Sequence, residues 1–155
     1  MNIVLNRNDF NIENINLLKT RTNTVIEGDF TKFTYSNEYL TMNGIYLQLV
    51  LLNMVVQNEC KFTAVTFQPY DKQNISSIQY IASIELEILD YYNRVNHINK
   101  KRVTVLTKKL YSGNLRSCLS NHLKINNKIT IKISGIWETT NEIGLAIKLI
   151  HNVDI

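Results

Sequence analysis

Apolar and polar positions alternate with a period of two along most of this chain, and shift once to a period of three to four. From Ile45, the residues Ile45, Leu47, Leu49 and Leu51 fall on one side and Tyr46, Gln48, Val50 and Leu52 on the other. That is the pattern of a long central strand with one strongly apolar face. Thr24 to Tyr35 alternates more loosely and is rich in β-branched and aromatic residues, with Phe33 and Tyr35 on one face and Phe30, Lys32 and Thr34 on the other. Met42-Asn43-Gly44 and Gln57-Asn58-Glu59 read as turns. Lys61 to Gln68 reads as the strand paired with the Ile45 strand, ended by Pro69, which lacks the amide a ladder needs.

The period changes over residues 75–95. Ile78, Ile81, Ile84, Ile88, Tyr91 and Val95 step by three or four, which predicts an amphipathic helix with Glu85, Glu87 and Asp90 largely outside its buried stripe. Residues 99–124 fit either type: Val103, Val105 and Thr107 alternate, whereas Leu106, Leu110, Leu115 and Leu119 suit helical turns, with a break at Ser112-Gly113-Asn114. The end of the chain predicts a β-hairpin. Ile129, Ile131 and Ile133 point one way and Lys128, Thr130, Lys132 and Ser134 the other. After a polar turn, Ile143, Leu145, Ile147 and Leu149 oppose Gly144, Ala146, Lys148 and Ile150. Gly135 and Gly144 mark a bulge or a close backbone approach. The expectation is a mainly β protein: a small OB-like barrel of about five strands with one amphipathic helix between strand groups, and an open α+β sheet as the competitor. Residues 1–23 are expected to form an N-terminal arm and 24–155 a single OB-like domain.

Composition sharpens this in three ways. With 155 residues and 45% hydrophobic content, the chain suits one packed domain. Asn and Ile, at 21 and 20 residues, are the residues AT-rich codons favour, and are read as genome bias. No secretory layout opens the sequence, and the longest apolar run, Ile45 to Val56, is too short to span a bilayer, so an intracellular protein without membrane contact is expected. Cys60 and Cys118 lack metal-ligand spacing and are expected as buried, reduced thiols. The triplet Asn74-Ile75-Ser76 is expected to be a chance match to a glycosylation site.

Charge changes the picture most. Residues 1–90 carry six basic and ten acidic residues, and residues 91–155 eleven and three, so the balance moves from −4 to +8. Tyr91 to Trp137 holds ten Lys/Arg and no Asp/Glu: Arg94, Lys100, Lys101, Arg102, Lys108, Lys109, Arg116, Lys124, Lys128 and Lys132. Such a run attracts phosphates and releases condensed counterions, and a short cluster such as 100–102 also fits a nuclear localisation signal.

Candidate catalytic chemistry is sparse. His97, His122 and His151 have no ligand spacing with Cys, Asp or Glu, and there is no Gly-rich phosphate loop and no nucleophile elbow. No cofactor or metal is expected, and no enzyme. Basic residues interleaved with aromatics suit single-stranded nucleic acid, where cations track the backbone and rings stack on bases. Candidate rings are Phe33, Tyr35, Tyr46, Phe67, Tyr111 and Trp137. Tyr111, beside Lys108 and Lys109, is expected to be exposed. Trp137 shares the parity of Ile133, and so the core, unless Gly135 shifts the register.

The segment Lys132-Ile133-Ser134-Gly135-Ile136-Trp137-Glu138-Thr139, followed by Ile143-Gly144-Leu145-Ala146-Ile147-Lys148, resembles the C-terminal hairpin of single-stranded DNA-binding proteins from large DNA viruses, notably insect viruses. Phe33-Thr34-Tyr35-Ser36-Asn37 and Asn43-Gly44-Ile45-Tyr46-Leu47 are similar to the same group. The resemblance implies an OB-like protein that coats unwound DNA in replication or recombination, in a host nucleus or viral replication site. The sequence ends at Asn152-Val153-Asp154-Ile155, without the acidic tail several such proteins use to recruit partners, so recruitment of that kind is not expected. The phosphate contacts would come from Lys100, Lys101, Arg102, Lys108, Lys109, Arg116, Lys124, Lys128, Lys132 and Lys148, and the stacking from Tyr111, Trp137 and either Tyr35 or Tyr46. The expected partner is single-stranded DNA, with RNA and self-association left open. The rival expectation is a structural or protein-interaction module, such as a viral assembly factor, that turns its basic face to an acidic protein.

Overall fold

One strand organises the main sheet of this protein, and the terminal hairpin supplies it. The computed structural model describes residues 3–117 and 128–150. After a 3-10 turn at Ile12–Asn14, the chain forms β1 (Ile15–Leu17), β2 (Arg21–Thr22), β3 (Asp29–Ser36), β4 (Thr41–Met42), β5 (Ile45–Val50), β6 (Val55–Asn58) and β7 (Thr63–Thr66). Then come α1 (Lys72–Val95), β8 (Lys101–Val103), α2 (Val105–Ser112), β9 (Asn114–Ser117), β10 (Lys128–Glu138) and β11 (Glu142–Ile150). β11 pairs along one edge of β10. The other edge is shared: Lys128 to Ile133 pair with β5, and Gly135 to Glu138 with β3. β1, β2 and β4 extend β3, and β8 adds in parallel to β11, giving eight strands in this sheet.

The protein is therefore mainly β with two helices, and its sheets are not closed into a barrel. Two sequence expectations change with that. The apolar run from Ile45 is two strands rather than one, because Asn53 takes a left-handed φ of 56° that ends the first. The second strand, β6, leaves for a separate three-stranded sheet, β6-β7-β9, so Lys61–Gln68 pairs with β6 and not with the Ile45 strand. Within the segment 1–23, β1 and β2 both pair with β3. The ambiguous stretch 99–117 resolves into strand, helix and strand, with Gly113 in the left-handed region (φ 71°) ending α2.

α1 and α2 pack on the inner face of the main sheet, over Ile45, Leu47, Leu49, Ile131, Ile133, Ile136, Ile143 and Leu145. Ile78, Ile81, Ile84 and Ile88 are buried as the periodicity predicts, but Val95 is exposed. Glu85, expected outside the stripe, is fully buried. Its carboxylate accepts the Leu106 and Thr107 amides at 3.0 and 2.7 Å and the Thr107 hydroxyl at 2.6 Å. These amides belong to the first turn of α2, whose N-cap residue Thr104 makes no side-chain cap bond. Glu85 thus caps α2 from a different helix. Asn74 is also buried, bonded to the Leu52 amide and to the Leu52 and Gln68 carbonyls, which gives the glycosylation-type triplet a packing role. Cys60 corrects another expectation: it is exposed, in the turn between β6 and β7. Cys118 lies outside the described residues.

Candidate nucleic-acid interface

The face of the main sheet turned away from the helices carries the candidate site. Residues opposite one another across a ladder share a face, so the register defines its rows. Arg21, Phe30, Trp137 and Gly144 form one row across β2, β3, β10 and β11. Lys32, Gly135 and Ala146 form the next, and Tyr46, Lys132 and Lys148 the one after. Lys128 stands at the far end opposite Val50.

Trp137 reaches this face through a β-bulge. The register of β10 against β11 shifts between Ile133 and Gly135, so Ser134 is the extra residue. Without the shift, Trp137 would keep the parity of Ile133 and point into the core; with it, Ile136 points inward and Trp137 joins Lys132 on the outside. Two glycines let the rings lie against the sheet. A Cβ on Gly144 would stand 2.1 Å from Cζ2 of Trp137, and one on Gly135 would stand 2.7 Å from Cζ of Phe30. Each ring covers a glycine, in the manner of aromatic rescue of a strand glycine.

The two rings line a cleft of about 860 Å³ whose opposite wall includes Val25 and Ile26 of the β2–β3 loop, with Arg21 and Glu142 among its polar residues. Val25 is 88% exposed, so its apolar side chain is presented to solvent at the mouth. Around the cleft lie the cations of the face. Arg21, Lys32, Lys128 and Lys148 are exposed and Lys132 half-exposed, and among the described residues none of them is in an ion pair. One pleat beyond Gly144 on β11 stands Glu142, its carboxylate 3.3 Å from the Lys101 ammonium.

The residues expected from sequence fall into three groups. Lys128, Lys132, Lys148 and Trp137 come together on this face. Lys100, Lys101 and Arg102 are each beside a carboxylate from outside the acid-free window: Glu138 at 2.5 Å, Glu142 at 3.3 Å and Asp90 at 2.7 Å. Lys100 also donates to the Thr139 carbonyl at 2.7 Å. Lys108, Lys109 and Tyr111 lie on α2, which packs on the opposite side of the sheet. Tyr111 is half-buried against Tyr70, with ring centres 6.0 Å apart, and the Arg116 guanidinium lies over the Phe62 ring in the smaller sheet. Lys124 lies outside the described residues.

Four candidate rings are corrected. Phe33, Tyr35 and Phe67 are core residues, and the Tyr35 hydroxyl is spent on the Asp9 carbonyl and the Asn11 amide. Tyr46 lies on the outer face but is 6% exposed, with the Lys132 ammonium over its ring at 5.3 Å, so it cannot receive a base. Sequence reasoning missed Arg21, Lys32 and Phe30 as site residues. Phe30 and Lys32 carried a signal, since they alternate with buried Thr31 and Phe33, but the acidic balance of the first ninety residues hid it.

Behind Trp137, its neighbour Glu138 turns inward. It accepts Tyr92 Oη at 2.6 Å and Lys100 Nζ at 2.5 Å, and Tyr92 Oη is 3.2 Å from the Thr31 hydroxyl. Burial, then the bond to Glu138, pushes the Tyr92 phenol up to about 12. Burial alone would raise the Glu138 carboxyl, but the bonds from Lys100 and Tyr92 outweigh it and hold the group below its ordinary range. The raised Tyr92 pKa means that its contribution to stability is intact below pH 10 and is lost as pH rises from 10 through about 12. The depressed Glu138 value works at the other end, its contribution being lost as pH falls through the carboxylate range. Denaturant unfolding between pH 9 and 11.5 is expected to show a steep alkaline loss that Tyr92→Phe flattens. An identical pH profile for both proteins would remove Tyr92 as its source.

Among the described residues, no helix is long and apolar enough to cross a membrane, and no cluster of three His, Cys, Asp or Glu could hold a metal ion. No family model, curated protein or solved structure matches this chain.

Proposed function

We propose that this is a non-enzymatic, non-sequence-specific binder of single-stranded nucleic acid, DNA before RNA, that works through the outer face of its main sheet. The observation that carries the reading is the row Arg21–Phe30–Trp137–Gly144, two rings laid on a sheet, flanked by Lys32, Lys132 and Lys148. Unpaired bases expose flat faces that stack on such rings whatever their identity, and the phosphates between them need cations at the spacing of a sheet surface. A duplex hides its base faces and gains only the cations.

The likeness of Lys132–Thr139 and Ile143–Lys148 to viral single-strand binders falls on the segments that build the bulge, Trp137 and the Lys132–Lys148 pair. An OB-like origin belongs to the same reading. It is supported by β3, β5, β10 and β11 pairing antiparallel under one long helix, although the barrel stays open. Protection of unwound DNA in replication or recombination, at an intracellular site of viral replication, follows from that likeness.

The test is a titration of labelled oligo-dT, the same sequence in RNA, and a duplex, at two salt concentrations. With Arg21, Lys32, Lys128, Lys132 and Lys148 engaged, log affinity for the single strand is expected to fall with log salt at a slope of about −3.5. Duplex binding equal to or tighter than single-strand binding would sink the proposal, as would no binding at low salt.

A further inference from the structure

The outer face as described gives affinity without base preference, yet the cleft has one feature a purely neutral stacking platform does not need. Glu142 lines the same cleft as Trp137 and Arg21. It lies one pleat beyond Gly144, the residue the indole covers. The turn fixes it there: the Thr139 amide donates to the Glu142 carbonyl at 2.9 Å, and the Glu142 amide to the Thr139 hydroxyl at 3.1 Å. Its partner Lys101 approaches at 3.3 Å from a side chain that is 76% exposed. An ion pair of that kind is weak and leaves carboxylate lone pairs free.

Resting on the single-strand reading of this face, the geometry points to a guanine-preferring subsite: the cleft takes one unpaired base onto Trp137, and Glu142 reads its Watson–Crick edge. A carboxylate is acceptor-only and presents two oxygens side by side. Guanine alone offers two adjacent donors on that edge, N1–H and the N2 amino group. Adenine and cytosine each set their amino group next to an acceptor nitrogen, and thymine flanks its N3–H with two carbonyl oxygens, so each meets the carboxylate with one donor and at least one repulsive lone pair. Val25 and Ile26 line the same cleft and add apolar surface beside the base. Arg21, exposed and lining the same cleft, is placed for the phosphate of that nucleotide.

The experiment uses four oligo-dT strands of equal length, one all thymine and three carrying a single central guanine, adenine or cytosine, against the native protein and Glu142→Gln. The native protein is expected to bind the guanine strand about tenfold tighter than the other three, a bidentate edge contact being worth that much. In Glu142→Gln the four strands are expected to agree within about twofold. Equal affinity of the native protein for all four strands would overturn the subsite and leave the single-strand reading standing. A guanine preference that survives Glu142→Gln would overturn the role of the carboxylate. Failure of every strand to bind would remove the single-strand reading itself.

Discussion

Trp137→Ala is expected to weaken oligo-dT binding by about 5- to 100-fold while the protein stays folded. The range follows from base–ring stacking, worth about 1–3 kcal/mol per base by alanine substitution. Trp137 is only half-buried and its ring covers Gly144 on the outer face, so truncation opens no cavity in the apolar core between sheet and helices. Phe30 covers Gly135 beside it, and Phe30→Ala should cost less, because the smaller ring offers less stacking area. Trp137→Phe should recover part of the loss. A thermal melt beside the binding curve separates the two effects. If Trp137→Ala binds like the native protein, no base stacks on that ring. If Trp137→Phe is no better than alanine, stacking is not what the indole contributes.

Glu85→Ala is expected to be the most damaging single change to stability, at about 3 kcal/mol. The carboxylate is fully buried and accepts from two amides of the first turn of α2 and from the Thr107 hydroxyl. Removing it leaves these donors buried without a partner at a helix end that has no side-chain cap of its own. Glu85→Gln keeps the volume but replaces one acceptor oxygen with a donor facing other donors, so it should recover less than half of the loss. Denaturant unfolding measures both. A Glu85→Ala protein within about 0.5 kcal/mol of native, the range of an ordinary surface substitution, would show that α2 does not depend on this cap.

The same two residues show what was legible in the sequence. The hairpin, the α1 stripe and the turn at Met42-Asn43-Gly44 were readable because each rests on a local pattern, which the packed structure keeps, whereas Gln57 and Asn58 belong to β6 and the chain reverses after them. Glu85 was misread because a carboxylate counts as polar in any periodicity, and its partners lie 21 and 22 residues further on. Trp137 turned on the bulge at Ser134, where one inserted residue inverts the face of everything after it; Gly135 signalled the place but not the direction. Within the acid-free window, Lys100, Lys101 and Arg102 meet Glu138, Glu142 and Asp90 in space, pairings that a charge count along the sequence does not show. The cations of the outer face include Arg21 and Lys32, from the half of the chain whose overall balance is acidic, because β2 and β3 bring them to the edge of the terminal hairpin.

The central claim is that single-stranded nucleic acid lies across the outer face and touches Trp137. Trp137 is the only tryptophan in the chain, so its emission reports on that one place. The decisive measurement is tryptophan fluorescence during an oligo-dT titration at low salt, recorded alongside the anisotropy of the labelled strand. The emission is expected to be quenched, saturating at the same oligonucleotide concentration as the anisotropy and recovering on addition of salt. An oligonucleotide that binds by anisotropy while the emission of Trp137 stays unchanged would place the strand elsewhere on the protein and contradict the account.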